Sequence, residues 1–246
     1  MDLRLHWLAR TLADIPEGDA WLGARERAIL SRLRFSKRRS DWRLGRWTAK
    51  CALLAFRPDD FPAMPALDIL AAEDGGPEAY ASCGGAVDVS LSISHSHGRG
   101  LCAVAPGKCA VGCDLERIER KSLDFFNDYF TPREISFCRR ARPDDYPVAC
   151  YLVWSAKEAS LKILREGLRR DTRSIEIEAE FPAGEGAWRA WTGRCVDTSA
   201  THYGWWRHEN GFVYALGADR AGARPQELLP RDVQEAMKRF VDGRMV

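Results

Sequence analysis

The sequence predicts an α+β fold, on three observations. Helical and strand-like stretches alternate without a regular βαβ rhythm, the glycines form no nucleotide-binding fingerprint, and no stretch repeats or falls to low complexity. At 246 residues the chain has room for one large domain or two small ones. The clearest break signal is the turn Pro106-Gly107-Lys108, which predicts halves of 1–106 and 107–246.

The elements follow in order. From Gly23 to Phe56 the chain reads as helical and basic, with apolar positions at Ile29, Leu30, Leu33, Leu44, Trp47, Leu53 and Leu54. Prolines from Pro58 to Pro65 mark a connection, and Asp74-Gly75-Gly76-Pro77 a turn. Val87–Ile93 alternates apolar and small polar residues as a strand does, and Leu101–Ala105 and Ala110–Leu115 are two more short strands. Thr131-Pro132-Arg133-Glu134 starts a helix: threonine caps, proline fits the first turn, and glutamate completes a capping box. Pro147–Arg165 is a long helix, followed by strands at 175–179, 187–191, 203–207 and 212–216. An amphipathic helix is expected at the tail, from Arg231 to Val241.

The formal net charge is only +2, which argues for no polyanionic partner, but its distribution is uneven. Between Arg25 and Lys50 ten basic residues face two acids, Glu26 and Asp41. Such a run is either a solvated helix face or a surface for an anion or an acidic partner. The eight cysteines include no CxxC pair and several sit in apolar runs, which reads as reduced, buried thiols in a cytoplasmic protein. Neither a signal-peptide core nor a run of ~20 apolar residues occurs, so no membrane span is expected.

Three segments could carry chemistry. In Val111-Gly112-Cys113-Asp114-Leu115-Glu116, strand geometry puts Asp114 and Glu116 on one face. Two carboxylates that close suit a hard divalent cation such as Mg2+, or else a solvated strand edge. In Trp154-Ser155-Ala156-Lys157-Glu158-Ala159-Ser160-Leu161-Lys162, helical spacing stacks Glu158 and Lys162 one turn apart. That pair is surface decoration, or a third carboxylate and a phosphate-binding lysine for the same cation. Ser92-Ile93-Ser94-His95-Ser96-His97 makes a polar strand end able to hydrogen-bond an anion, with solvated histidines as the plainer alternative. Zinc-finger spacing is absent.

Together these segments resemble the phosphopantetheinyl transferases of the surfactin-synthetase-activating (Sfp) type. The acidic strand is Gly112-Cys113-Asp114-Leu115-Glu116, and some forty residues on comes the Trp154-to-Lys162 helix. Ile93-Ser94-His95-Ser96, Phe130-Thr131-Pro132-Arg133-Glu134 and Gly45-Arg46 match further family segments. The resemblance implies a pseudo-dimer of two similar α/β halves with coenzyme A in the cleft between them. It implies Mg2+, with Mn2+ as a substitute, held by Asp114, Glu116 and Glu158, and Asp114, Glu158 and Lys162 as the catalytic set. Glu158 would take the proton of a carrier-protein serine, and Lys162 would stabilise the departing adenosine 3',5'-bisphosphate. Arg46, Gly76, Pro77, Ser94, His95, Lys157 and Lys162 would bind coenzyme A.

The implied partners are coenzyme A and an acyl or peptidyl carrier protein, with no nucleic acid or membrane, for a monomer. Where family members carry a basic residue in the Gly-Lys-Pro turn, this chain has Gly75-Gly76-Pro77. Arg27, Arg32 and Arg43 are alternative clamps for the nucleotide's 3'-phosphate. A metal-dependent phosphodiesterase would use the same acids and lysine, and a nucleic-acid-binding module would use only the basic helix.

Overall fold

The computed structural model describes residues 3–61, 63–81, 84–107, 109–119 and 126–229, so the helix expected from Arg231 to Val241 lies outside the described residues. The chain divides into two compact units, one of His6–Lys108 with Gln226–Val246 and one of Met1–Leu5 with Cys109–Pro225. This differs from a single cut after residue 106: the first five residues group with the later unit and the chain from Gln226 with the earlier one. We call these the N-terminal and C-terminal units.

The elements up to Pro106 are β1 (Leu3–Thr11), α1 (Ala24–Leu30), α2 (Ser36–Phe56), β2 (Leu67–Ala71), β3 (Pro77–Ala81), β4 (Val89–Ser96) and β5 (Arg99–Pro106). After them come β6 (Val111–Arg117), α3 (Pro132–Arg139), α4 (Tyr146–Ile163), β7 (Ile175–Ala179), β8 (Arg189–Cys195), β9 (Thr201–Glu209), β10 (Phe212–Ala218) and β11 (Gly222–Glu227). One sheet runs β11-β1-β5-β4, a second β6-β10-β9-β8-β7, and β2-β3 form a separate hairpin. The mixed α+β class is the expected one. Strands β1, β2, β3 and β11 were not expected from the pattern.

The single helical stretch expected from Gly23 to Phe56 is two helices. Arg39 in α2 donates through Nη1 to the carbonyls of Leu30 and Leu33, at 2.6 and 3.2 Å. Those groups sit at the end of α1, where a helix leaves carbonyls without intrahelical donors, so the guanidinium caps α1 and lets the chain turn. Helix α2 then buries Leu44, Trp47, Leu53 and Leu54 against β4 and β5. Each such side chain contributes about 1.5–3 kcal/mol on leaving water.

In the C-terminal unit the capping box forms as expected: the Thr131 N–H donates to Glu134 Oε2 at 2.8 Å, and the Glu134 N–H to Thr131 Oγ1 at 3.3 Å. Helix α4 crosses β6 and β10 and buries Tyr151, Leu152, Ala156 and Leu161. The ring of Trp191 lies over paired glycines: a Cβ on Gly204 would stand 2.2 Å from its Cε2, and one on Gly217 2.6 Å from its Cζ2. The seven described cysteines are buried, and none of them is in a disulfide. No helix among the described residues is long and apolar enough to cross a membrane.

Among the described residues, both units run in order through a strand, two helices and four strands, with 3-10 turns interspersed. In both, a glutamate two or three residues into the first helix accepts from a strand N–H 43 residues later, Glu26 from Ile69 and Glu134 from Ile177. The second helices carry Trp47-Thr48-Ala49-Lys50 and Trp154-Ser155-Ala156-Lys157 at equivalent places.

Candidate active site

Strand β6 is an edge of its sheet, paired only with β10, and its alternate residues Gly112, Asp114 and Glu116 face α4. The approach is close because residue 112 has no side chain: a Cβ there would lie 1.9 Å from the Ala159 carbonyl oxygen. The acids therefore meet the helix face that carries Trp154, Glu158 and Lys162. Lys162 Nζ contacts Asp114 Oδ1 at 2.9 Å and donates to the Cys113 carbonyl at 2.8 Å. Trp154 Nε1 donates to Glu116 Oε1 at 3.4 Å, and the edge of the Tyr129 ring holds that indole, with ring centres 5.1 Å apart.

Glu158 sits among these groups. Burial raises its carboxyl to a pKa of about 7, and the nearby Asp114 and Glu116 carboxylates add to the rise against the opposing pull of Lys162. Its Oε1 is buried with no hydrogen-bond partner among the described residues. Burial works against the Lys162 ammonium, yet Asp114, Cys113 and Glu158 together outweigh it and the lysine stays above its ordinary value. A carboxylate held back from ionising by two others, with an oxygen left unsatisfied, is what a hard divalent cation would correct, since all the donors are oxygens. As the side chains stand, no three His, Cys, Asp or Glu residues among the described ones are placed closely enough to hold a metal ion; the Lys162 ammonium supplies the positive charge beside Asp114.

Residues expected to bind coenzyme A fall in three places. Arg46, Pro77 and His95 line a pocket of about 640 Å³ in the N-terminal unit, with Phe35, Lys37, Arg38 and Trp42. Arg46 lies over the Trp42 ring, 4.8 Å from its centre, and donates through Nε to the Ile69 carbonyl at 3.0 Å. Gly76 and Ser94 are not among the lining residues, although Gly75 beside the former is. Lys162 is in the acidic site of the C-terminal unit.

Lys157 is placed differently from the expectation. It is fully buried, and its ammonium contacts Glu134 and the carbonyls of Thr172 and Ile175. Those partners take the three protons of the ammonium, so it is committed to the fold.

The alternative clamps differ in the same way. Arg27 donates to the Leu22 carbonyl, and Arg43 to those of Pro16 and Gly18, whereas Arg32 is exposed away from the pocket. Lys37, Arg38 and Trp42 were missed. The signal was the run Arg38, Trp42, Arg46, whose four-residue spacing puts all three on the face of α2 that lines the pocket.

With that geometry in view, comparison with known proteins gives three findings. Residues 110–209 match the model of the 4'-phosphopantetheinyl transferase superfamily. A curated 4'-phosphopantetheinyl transferase of Bacillus subtilis is 32% identical over 90 residues, which is 37% of this chain and 39% of that protein. A 2.31 Å crystal structure of a holo-(acyl-carrier-protein) synthase from Bacillus anthracis str. Ames in complex with CoA (3',5'-ADP) is 20% identical. It has a TM-score of 0.37 and covers 44% of this chain and 99% of that one. The stretch that matches the family model contains β6 and α4 and with them Asp114, Glu116, Glu158 and Lys162. Over residues 110–209, this chain is similar to the 4'-phosphopantetheinyl transferase superfamily.

Proposed function

We propose that the chain is an Sfp-type transferase that moves the 4'-phosphopantetheine group of coenzyme A onto a serine of an acyl or peptidyl carrier protein and releases adenosine 3',5'-bisphosphate. The observation that carries this is the convergence of Asp114, Glu116, Glu158 and Lys162 from β6 and α4, inside the segment similar to the superfamily. The repeated order of elements supports reading the chain as two similar halves.

Asp114, Glu116 and Glu158 would hold Mg2+, which when bound neutralises diphosphate oxygens and polarises the phosphorus under attack. Glu158, held near neutral pKa, is suited to take the proton of the serine hydroxyl. The Lys162 ammonium, fixed between Asp114 and the Cys113 carbonyl, would offset negative charge growing on the departing oxygen. Positioning and electrostatics supply most of the rate in reactions of this type, because phosphoryl groups need little covalent assistance.

The pocket beside α2 would take the nucleotide. Lys37, Arg38, Arg46 and His95 provide positive charge or donors, and Trp42 and Pro77 provide apolar walls. His95 is exposed at the end of β4 and has no part in the core. Replacing it by alanine is expected to raise KM for coenzyme A by about tenfold, the worth of one charge-assisted hydrogen bond, with kcat nearly unchanged. Steady-state kinetics with varied coenzyme A check this; a fall in kcat at constant KM would move His95 out of the binding role.

Intact mass spectrometry tests the whole reading. Protein, Mg2+, coenzyme A and a carrier protein should yield a carrier heavier by about 340 Da, the mass of the transferred group. If coenzyme A is consumed with no carrier present and no carrier gains mass, the site is a phosphodiesterase that uses water in place of serine.

A further inference from the structure

We propose that Glu134 and Lys157 are positioning residues: the buried pair sets the rotation of α4 and so aims Glu158 at Asp114 and Glu116. This deepens the function proposed above and rests on it.

The contacts make the pair a four-way tie. Lys157 Nζ meets Glu134 Oε2 at 2.9 Å and donates to the Thr172 carbonyl at 2.9 Å and to the Ile175 carbonyl. Glu134 also accepts from the N–H groups of Thr131 and Ile177, each at 2.8 Å. The start of α3, the middle of α4, the turn Thr172–Ser174 and strand β7 are thereby fixed to one another. Both side chains are fully buried. A buried ion pair adds little net stability over an apolar pair of the same volume, because desolvation offsets the attraction. What the pair adds is direction, since its hydrogen bonds are satisfied in one geometry only.

Direction matters because Glu158 is the next residue. Consecutive side chains on a helix have a fixed angular offset, so pinning Lys157 determines where Glu158 points. A carboxylate about 5–6 Å from the helix axis moves roughly 2 Å when the helix turns by about 20°. Metal–oxygen distances tolerate only about 0.2 Å. A loosened α4 would therefore lose the site long before it lost its helical structure.

The N-terminal unit holds a built-in control. There Lys50 pairs with Glu26 and donates to the carbonyls of Trp21 and Met64, at 3.1 and 3.2 Å, while Glu26 accepts from Gly23 and Ile69. Both side chains are again fully buried. The residue after Lys50 is Cys51, buried in the apolar core, where the C-terminal unit has Glu158. This twin measures what losing such a pair costs as architecture alone.

The experiment compares Lys157→Met with Lys50→Met, and adds Glu134→Gln as a near-isosteric variant should Lys157→Met fail to fold. Each is titrated with Mg2+ while the thermal midpoint is followed, and each is assayed for carrier modification. Comparable losses of thermal midpoint are expected for the two lysine variants in the absence of metal. Only Lys157→Met and Glu134→Gln should need more Mg2+ for a half-maximal thermal shift, by about tenfold or more, as when a partner behind a metal ligand is removed. Equal Mg2+ requirements in the Lys50 and C-terminal-unit variants, with an active unmodified protein, would overturn the positioning role and leave the transferase reading intact. An unmodified protein that neither responds to Mg2+ nor modifies a carrier would overturn both.

Discussion

Glu158→Gln is expected to lower carrier modification by about three orders of magnitude at saturating Mg2+ and coenzyme A. The substitution removes an anionic oxygen from the acidic cluster and removes the proposed base, and loss of general-base catalysis alone is worth about 10²–10⁴. Folding should move the other way. Because burial and the neighbouring acids raise the Glu158 pKa to about 7, ionising it costs the folded state more than the unfolded one. That penalty is absent below the ordinary value of 4.5, grows between there and about 7, and is constant above. Without metal at pH 8, Glu158→Gln should therefore melt at a higher temperature than the unmodified protein, and at pH 4 at the same temperature. Single-turnover rates with thermal melts at both pH values decide it; a rate within tenfold of normal would remove Glu158 from the role of base.

Gly112→Ala should weaken both fold and activity. The added methyl would stand 1.9 Å from the Ala159 carbonyl oxygen, 2.8 Å from the carbonyl carbon and 3.0 Å from Ile163 Cγ1. The obstruction is helix backbone, which has no rotamer to retreat into, and ordinary contact is about 3.5 Å. Helix α4 would have to back away from β6 by roughly 1.5 Å, and Ala159 is next to Glu158 and one turn short of Lys162. Overpacking of this severity is expected to cost about 3 kcal/mol, lowering the melting temperature by about 10 °C. A 1 Å displacement of reacting groups costs about a hundredfold in rate. Urea unfolding and carrier-modification rates measure the two effects. An unchanged unfolding midpoint would mean that strand and helix are not packed as described.

Much of the acidic site was legible in the sequence because its two halves are each local. Period-two alternation puts Asp114 and Glu116 on one face of a strand, and a four-residue step puts Glu158 and Lys162 on one face of a helix. Chemical complementarity then suggested that the faces meet. Lys157 shows where that reasoning failed. It is next to Glu158 in a motif rich in charge, so it read as a ligand group, but helical geometry turns adjacent residues about 100° apart and sent it into the core. The internal repeat was visible as Trp47-Thr48-Ala49-Lys50 against Trp154-Ser155-Ala156-Lys157, and as an Arg-Glu pair ahead of each. It went unseen because Glu158, the residue after Lys157, has the buried Cys51 as its counterpart after Lys50.

The basic run from Arg25 to Lys50 divides along the same line. Its composition suggested an anion site or a solvated face, and no sequence rule could apportion the residues. Arg27, Arg39 and Arg43 spend their donors on nearby carbonyls, and Lys50 is inside the core. Lys37, Arg38 and Arg46 reach the pocket.

By itself the sequence determined the α+β class, the capping box at Thr131, most strands after Val87, and which acids share a strand face and which glutamate and lysine share a helix face. Those depend on periodicity and residue chemistry, which act over a few neighbours. Only the tertiary structure decided that α1 ends at Leu30, that Lys157 ties segments together, and which arginines are open to a ligand. A buried charge or a spare carbonyl takes its partner from whatever the fold brings near: the Lys162 ammonium finds the Cys113 carbonyl 49 residues away along the chain.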